Sequence, residues 1–313
     1  MNNVTIEEVK TRSQLKLFVN MAVDMYRKVS QYVPSFISDD IADWNKNKNP
    51  AFQYCEAKAF LAYKGGDLVG KIGAILNHRA NEKWHTHRMR FSQVDFIDDT
   101  DVSSALFEAV ENWAREKGCD QVHGPLGFCD LDREGMLVEG YDRRSQFFTY
   151  YNYPYYNEHL ARLGYEKDID WVEYKIQVPD PDSSSYKMLD QIAKRAMERS
   201  QYHKVHLDRR SEYKPYITKC FNLVNTAYAH LYGVVELVNE QIEKYGDKFI
   251  PLINPDYCCI VLDKDEEVAG FGVCCPSVAE ALKRCRGRLF PVGWAGILKS
   301  LHKNIAIDML LIA

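Results

Sequence analysis

Two stretches of this chain are built to fold back on themselves. Residues 60–64 and 68–76 are apolar runs on either side of Gly65-Gly66-Asp67, the pattern of antiparallel strands joined by a tight glycine turn. The same arrangement recurs later, where residues 257–262 and 268–274 flank the polar run Asp263-Lys264-Asp265-Glu266-Glu267. The two hairpins share no sequence repeat, so what is duplicated is an architecture.

The elements around each hairpin follow from hydrophobic periodicity. Val4 and Ile6 alternate as in a strand, and Leu15, Phe18, Val19, Ala22, Met25 and Tyr26 recur at helical spacing. Residues 27–55 contain Pro34 and Pro50 and predict irregular structure with one short helix. A strand is expected over 90–97. Asp98-Asp99-Thr100-Asp101 then supplies N-cap chemistry for a helix over 102–117 that Gly118 closes. A short strand over 121–125, a helix over 158–163 closed by Gly164, and a strand over 171–176 complete the first half. The segment Pro179-Asp180-Pro181-Asp182-Ser183-Ser184-Ser185 has nothing apolar to bury and is the clearest linker. Beyond it the pattern restarts with a helix over 186–200, a short strand at Val205 and Leu207, helices over 214–232 and 235–245, and the second hairpin. Helices over 278–285 and 294–302 precede a terminal strand over 305–313.

A chain of 313 residues is long for one core, so two domains are expected. The expected boundaries are a first domain over 1–178, a linker over 179–185 and a second domain over 186–313. A net charge of −4 argues against a general nucleic-acid binder. No apolar run approaches the ~18–20 residues of a membrane span. The first residues lack the basic-then-apolar order of a leader, so a cytoplasmic location is expected. The nine cysteines follow no zinc or redox spacing and are expected to be reduced core residues, with no metal site.

Three local sequences carry a resemblance to the GNAT acyltransferase superfamily: Val69-Gly70-Lys71-Ile72 at the end of the first hairpin, the helix from Ala105 to Gly118, and His159-Leu160-Ala161-Arg162-Leu163-Gly164-Tyr165. From Asn49 to Tyr174 the chain is similar to a largely uncharacterised bacterial family of tandem GNAT-like proteins. The resemblance implies an α/β fold with two GNAT-like domains, each a mixed central sheet flanked by helices. It implies that the second lacks the part after its fourth strand, as in a truncated sequence. The acyl donor it implies is acetyl-CoA or another acyl-CoA.

Superfamily members cradle the CoA pyrophosphate on backbone N–H groups at the start of the helix after the fourth strand, using a glycine-rich loop. The corresponding positions here are Asp98, Asp101 and Ser103. Three carboxylates (Asp98, Asp99, Asp101) would repel a pyrophosphate and suit helix capping better. Many members also use a tyrosine to protonate the departing thiolate. The matching position is Leu160, and Tyr156, one turn earlier, takes that role only if the helix reaches it.

Residues 126–156 combine acids and aromatics in a stretch long for a loop without a function. Asp130, Asp132, Glu134, Tyr151 and Tyr155 are the candidate substrate-binding residues, and Glu139, Tyr156 and His123 the candidate catalytic ones. The expected activity is acyl-CoA-dependent N-acylation of a small-molecule or peptide amine. The alternative is a catalytically silent GNAT-like module that holds an amine or a peptide. A transfer-RNA-dependent aminoacyl transferase fits less well, because the chain is acidic and has no basic helical arm.

Overall fold

The computed structural model describes residues 4–302 and 306–313. Residues 1–3 and 303–305, among them Ile305 of the expected terminal strand, therefore lie outside the described residues. The chain divides into two compact units. One comprises residues 1–169, 231–235 and 278–300, and the other comprises 170–230, 236–277 and 301–313.

The first unit opens with β1 (Val4–Glu8) and α1 (Arg12–Met25), whose N-terminus is a capping box between Thr11 and Gln14. A short α2 (Ile37–Asp43) and a 3-10 turn (Pro50–Gln53) lead to the hairpin of β2 (Cys55–Lys64) and β3 (Asp67–Asn77). Gly65 and Gly66 both adopt positive φ, 62° and 91°, as the tight turn between twisted strands requires. Helix α3 (His78–Trp84), β4 (Arg88–Phe96), α4 (Thr100–Glu116) and β5 (Gln121–His123) follow. After residues 124–154, which contain no helix or strand, comes α5 (Tyr155–Arg162). The strand order is β1-β2-β3-β4-β5, antiparallel except for the parallel β4–β5 pair. This is the mixed sheet flanked by helices that the resemblance implies.

One irregularity organises the sheet. Lys71 pairs with Asp95 and Gly73 with Ser92, so Ile72 of β3 faces two residues of β4, Gln93 and Val94. Gln93 takes up the extra length with φ of 43°. Such a bulge switches which residues face which side. Met89 and Phe91 before it, and Val94 and Phe96 after it, all enter the core beneath α4 with Leu106, Phe107 and Trp113. The opposite face buries Phe18, Val19 and Val23 of α1 against Ala59 and Leu61. There Gly73 is required, because a Cβ would lie 2.3 Å from the Trp44 ring.

The second unit contains α6 (Ser184–Ser200), β6 (His203–Lys204), a 3-10 turn (Arg210–Tyr216), α7 (Ile217–Ala227) and α8 (Asn239–Phe249). The second hairpin, β7 (Cys258–Leu262) and β8 (Val268–Pro276), precedes α9 (Ala279–Cys285) and α10 (Gly293–His302), whose residues through 300 belong to the first unit. β9 (Ile307–Ile312) completes an antiparallel sheet of order β6-β7-β8-β9. Tyr213, Val224, Ile253, Ile260 and Phe271 form its core.

The strand expected over 171–176 is not formed. Val172, Tyr174 and Ile176 are exposed, and alternation alone does not make a strand. The helix expected over 214–232 is a 3-10 turn followed by α7, because Pro215 interrupts the regular pattern. None of the nine cysteines forms a disulfide, and Cys55, Cys129 and Cys275 are buried.

Candidate functional site

The bulge places Asp95 on the face of the first sheet opposite Phe96, and a polar network forms around it. Lys71 Nζ lies 3.2 Å from Asp95, and both side chains are almost wholly buried. Burial pushes the Lys71 amine down and the Asp95 carboxyl up, and their mutual attraction opposes both shifts. Tyr26 of α1 donates its hydroxyl to Asp95 at 2.8 Å and lies 2.9 Å from the hydroxyl of Tyr156. Tyr156 in turn accepts the Phe96 N–H at 2.9 Å and stacks on the Phe96 ring at 4.2 Å. Helix α5 thus does reach Tyr156, but its hydroxyl is fully enclosed and committed to Tyr26 and Phe96. Burial also holds its pKa well above the usual tyrosine value.

At the N-terminus of α4, Asp99 caps the Asp101 N–H at 2.9 Å and meets Lys64 at 2.5 Å. The Lys64 hydrogen bond holds its carboxyl below the ordinary range. Asp98 binds His159 Nε2 at 2.9 Å, and His159 Nδ1 lies 2.8 Å from Ser103 Oγ. The helix end is therefore satisfied by the chain's own carboxylates and ringed by negative charge. A pyrophosphate brought there would displace a cap and meet three acids, so these residues do not fit CoA in the superfamily's manner.

Residues 126–156 close over the first unit through two charge clusters. In one, Arg133 Nη2 reaches both oxygens of Asp40 at 3.0 and 2.9 Å, and Ser35 donates to the same carboxylate at 2.5 Å. The guanidinium also covers the Tyr150 ring at 4.9 Å. Tyr150 accepts the Gln93 N–H at 3.3 Å, tying this cluster to the bulge. Gln93 Oε1 is a buried acceptor with no hydrogen-bond partner among the described residues, and so is Gln146 Oε1.

The second cluster surrounds Arg90, which donates to the Gly127 carbonyl at 2.9 Å and the Gly233 carbonyl at 3.1 Å. Glu134 and Asp130 both feel its charge. Burial first, then the neighbouring Asp130, pushes the Glu134 carboxyl up to about 8. The Asp130 carboxyl is also raised, again chiefly by burial. Asp132 is spent structurally, accepting the Phe128 N–H at 2.8 Å. His123, on β5, lies 3.4 Å from the Tyr232 hydroxyl, and burial beside Arg90 and Arg88 drops its pKa to about 3. The imidazole is neutral at any physiological pH.

Of the remaining candidates, Glu139 is exposed, Tyr151 is buried with its ring 5.5 Å from that of Tyr26, and Tyr155 donates to the Phe96 carbonyl at 2.6 Å. Asp130, Glu134 and His123 gather around Arg90, while Tyr151, Tyr155 and Tyr156 gather around Tyr26 and Phe96. The sequence gives little notice of Lys71, Asp95, Arg133 and Asp40. The available signal is an ionisable residue flanked by apolar neighbours inside each of two strand-like runs, Lys71 and Asp95.

No protein-family description matches the chain. It is 28% identical over 289 residues to Protein YghO of Escherichia coli, covering 92% of this chain and 72% of that protein. It is 24% identical over 299 residues to the bacterial ceramide synthase of Caulobacter vibrioides, covering 95% and 76%. Among solved structures, a tandem GNAT protein from the clavulanic acid biosynthesis pathway aligns over 86% of this chain and 74% of that one, at 12% identity and a TM-score of 0.41. An aminoglycoside acetyltransferase from an uncultured soil metagenomic sample, in complex with sisomicin, aligns over 56% and 98%, at 12% identity and a TM-score of 0.35. No helix is long and apolar enough to cross a membrane among the described residues.

Proposed function

We propose that this chain belongs to an N-acyltransferase and that its first unit presents the acceptor amine. The observation that carries this is the grouping of Glu134 and Asp130 around Arg90, whose guanidinium is held by the Gly127 and Gly233 carbonyls; burial and Asp130 there push the Glu134 carboxyl up to about 8 against the pull of Arg90. An alkylammonium must lose a proton before its nitrogen can attack an acyl carbonyl, and a base works best when its pKa lies near the working pH. Glu134 meets that condition, and Asp130 beside it supplies negative charge to hold the ammonium beforehand. The acceptor class we favour is a long-chain amino alcohol. A ceramide is the fatty amide of such an amine, and one relative bears the name of a ceramide synthase.

An acyl-CoA is the donor implied by the GNAT resemblance, and the acids of α4 do not fit it. No step is therefore assigned to CoA in the first unit. The direct test incubates the protein with acyl-CoAs of graded length and a long-chain amino alcohol, and follows thiol release together with amide product by mass spectrometry. Amide formation that falls at least tenfold in Glu134→Gln supports the proposal. Equal rates in that variant would remove Glu134 from the chemistry.

The second reading is a catalytically silent module that binds an amine. The capped, acid-ringed start of α4 favours it, as does the inward commitment of the Tyr156 hydroxyl. It predicts that an amine raises the melting temperature while no acyl-CoA releases thiol.

A further inference from the structure

The core of the second unit is incompletely filled. A cleft open to solvent lies between α7, α8 and the sheet of β7, β8 and β9. Cys220 and Ile217 of α7, Phe249 and Ile250 at the end of α8, and Val273 and Leu311 of the sheet define its walls. No lining residue carries a charge, and the only hydroxyls are those of Tyr213 and Tyr216. Burial pushes the Cys220 thiol up to about 12 with no charged group opposing the shift, as expected of a wall facing hydrocarbon.

We propose that this cleft binds the hydrocarbon chain of an acyl group. Its lining is apolar and lacks the polar groups that orient a polar ligand. A polar ligand would lose its water there and recover few hydrogen bonds. A long-chain amine is a poorer occupant than an acyl chain, because no lining carboxylate can meet an ammonium. The assignment rests on the N-acyltransferase reading for its biological sense, and the relative named as a ceramide synthase makes a product that contains such a chain.

The test titrates the whole protein with a fluorescent conjugated-tetraene fatty acid, in the absence of any acceptor amine. Saturable binding of one chain per protein is expected, displaced by fatty-acid methyl esters. Affinity should rise roughly fourfold per added methylene, since each buries similar apolar surface, and then level off when the cleft is full. Cys220→Phe and, from the opposite wall, Val273→Phe should each weaken binding at least tenfold, while Lys264→Ala, in the exposed turn between β7 and β8, should leave it intact. Should one filling variant fail to fold by circular dichroism, the other decides. Non-saturable binding, binding unaffected by both filling variants, or equally strong displacement by dodecylamine would overturn the proposal. Acyl transfer without saturable chain binding would overturn the cleft alone, and chain binding without transfer would overturn only the N-acyltransferase reading.

Discussion

The hydroxyl of Tyr156 lies 2.9 Å from that of Tyr26, so a residue of α5 and a residue of α1 meet inside the first unit. Because Tyr26 donates to Asp95 and Tyr156 accepts from the Phe96 N–H, the two hydroxyls link consecutive residues of β4. Tyr156→Phe leaves a buried Phe96 N–H without its acceptor, which costs about 1–3 kcal/mol. Urea denaturation of Tyr156→Phe, Tyr26→Phe and the double variant should show coupling of about 0.5–3 kcal/mol. Additive losses would mean that the two hydroxyls act independently.

The Lys71–Asp95 pair makes a sharper prediction, since both side chains are nearly inaccessible. Removing either partner strands a charge, so Lys71→Met or Asp95→Leu should each cost about 3–5 kcal/mol. Replacing both with apolar residues should recover most of that loss. A double variant as unstable as the worse single one would show that Tyr26 depends on the carboxylate itself.

Two buried groups set opposing pH slopes. Glu134 has a folded pKa near 8, above its ordinary 4.5, so the folded state holds the extra proton between those values. Stability is then lost as pH rises from about 4.5 to 8, by up to ~1.4 kcal/mol per unit. His123 has a folded pKa near 3, below its ordinary 6.5, so its contribution is present above 6.5 and is lost as pH falls toward 3. Glu134→Gln should flatten the alkaline slope, and His123→Gln the acid one. Melting temperatures measured from pH 4 to 9 check both, and unchanged slopes would reject these assignments.

Residues 166–182 form no helix or strand in the structure, and Tyr174 is 78% exposed. Exposed backbone outside regular structure is where proteases cut first. Brief chymotrypsin treatment should cleave at Tyr174 and trypsin at Lys175, each before any site within β2, β3 or β4. Intact-mass analysis of the first fragments decides, and an initial cut inside the first hairpin would contradict this.

How far the molecule could be read beforehand depended on whether its signals were local. Gly65-Gly66 and the acids around residue 99 fix their turn and cap within a few residues, and both form where periodicity places them. The expected strand over 171–176 failed because pairing needs a partner elsewhere in the chain. The site was legible by composition only. Residues 126–156 stand out for acids and aromatics, yet nothing local says that Arg90 gathers Asp130 and Glu134, or that Arg133 crosses to Asp40. The Arg133 cluster is tied through Tyr150 to the bulge at Gln93, which no residue preference announces. A positive φ at a glutamine is a product of the assembled sheet.

That extra residue acts as a parity switch on β4. Every side chain beyond it has exchanged sides relative to an unbroken strand, which is why odd-numbered Met89 and Phe91 and even-numbered Val94 and Phe96 share one core. A single deletion at Gln93 would therefore do more than shorten a strand. It would turn Phe96 out of its core and carry Asp95 into hydrocarbon, away from Lys71 and Tyr26. Substitutions at this position are tolerable in principle, whereas a change in residue count is not, so the strand's length is under tighter constraint than its composition.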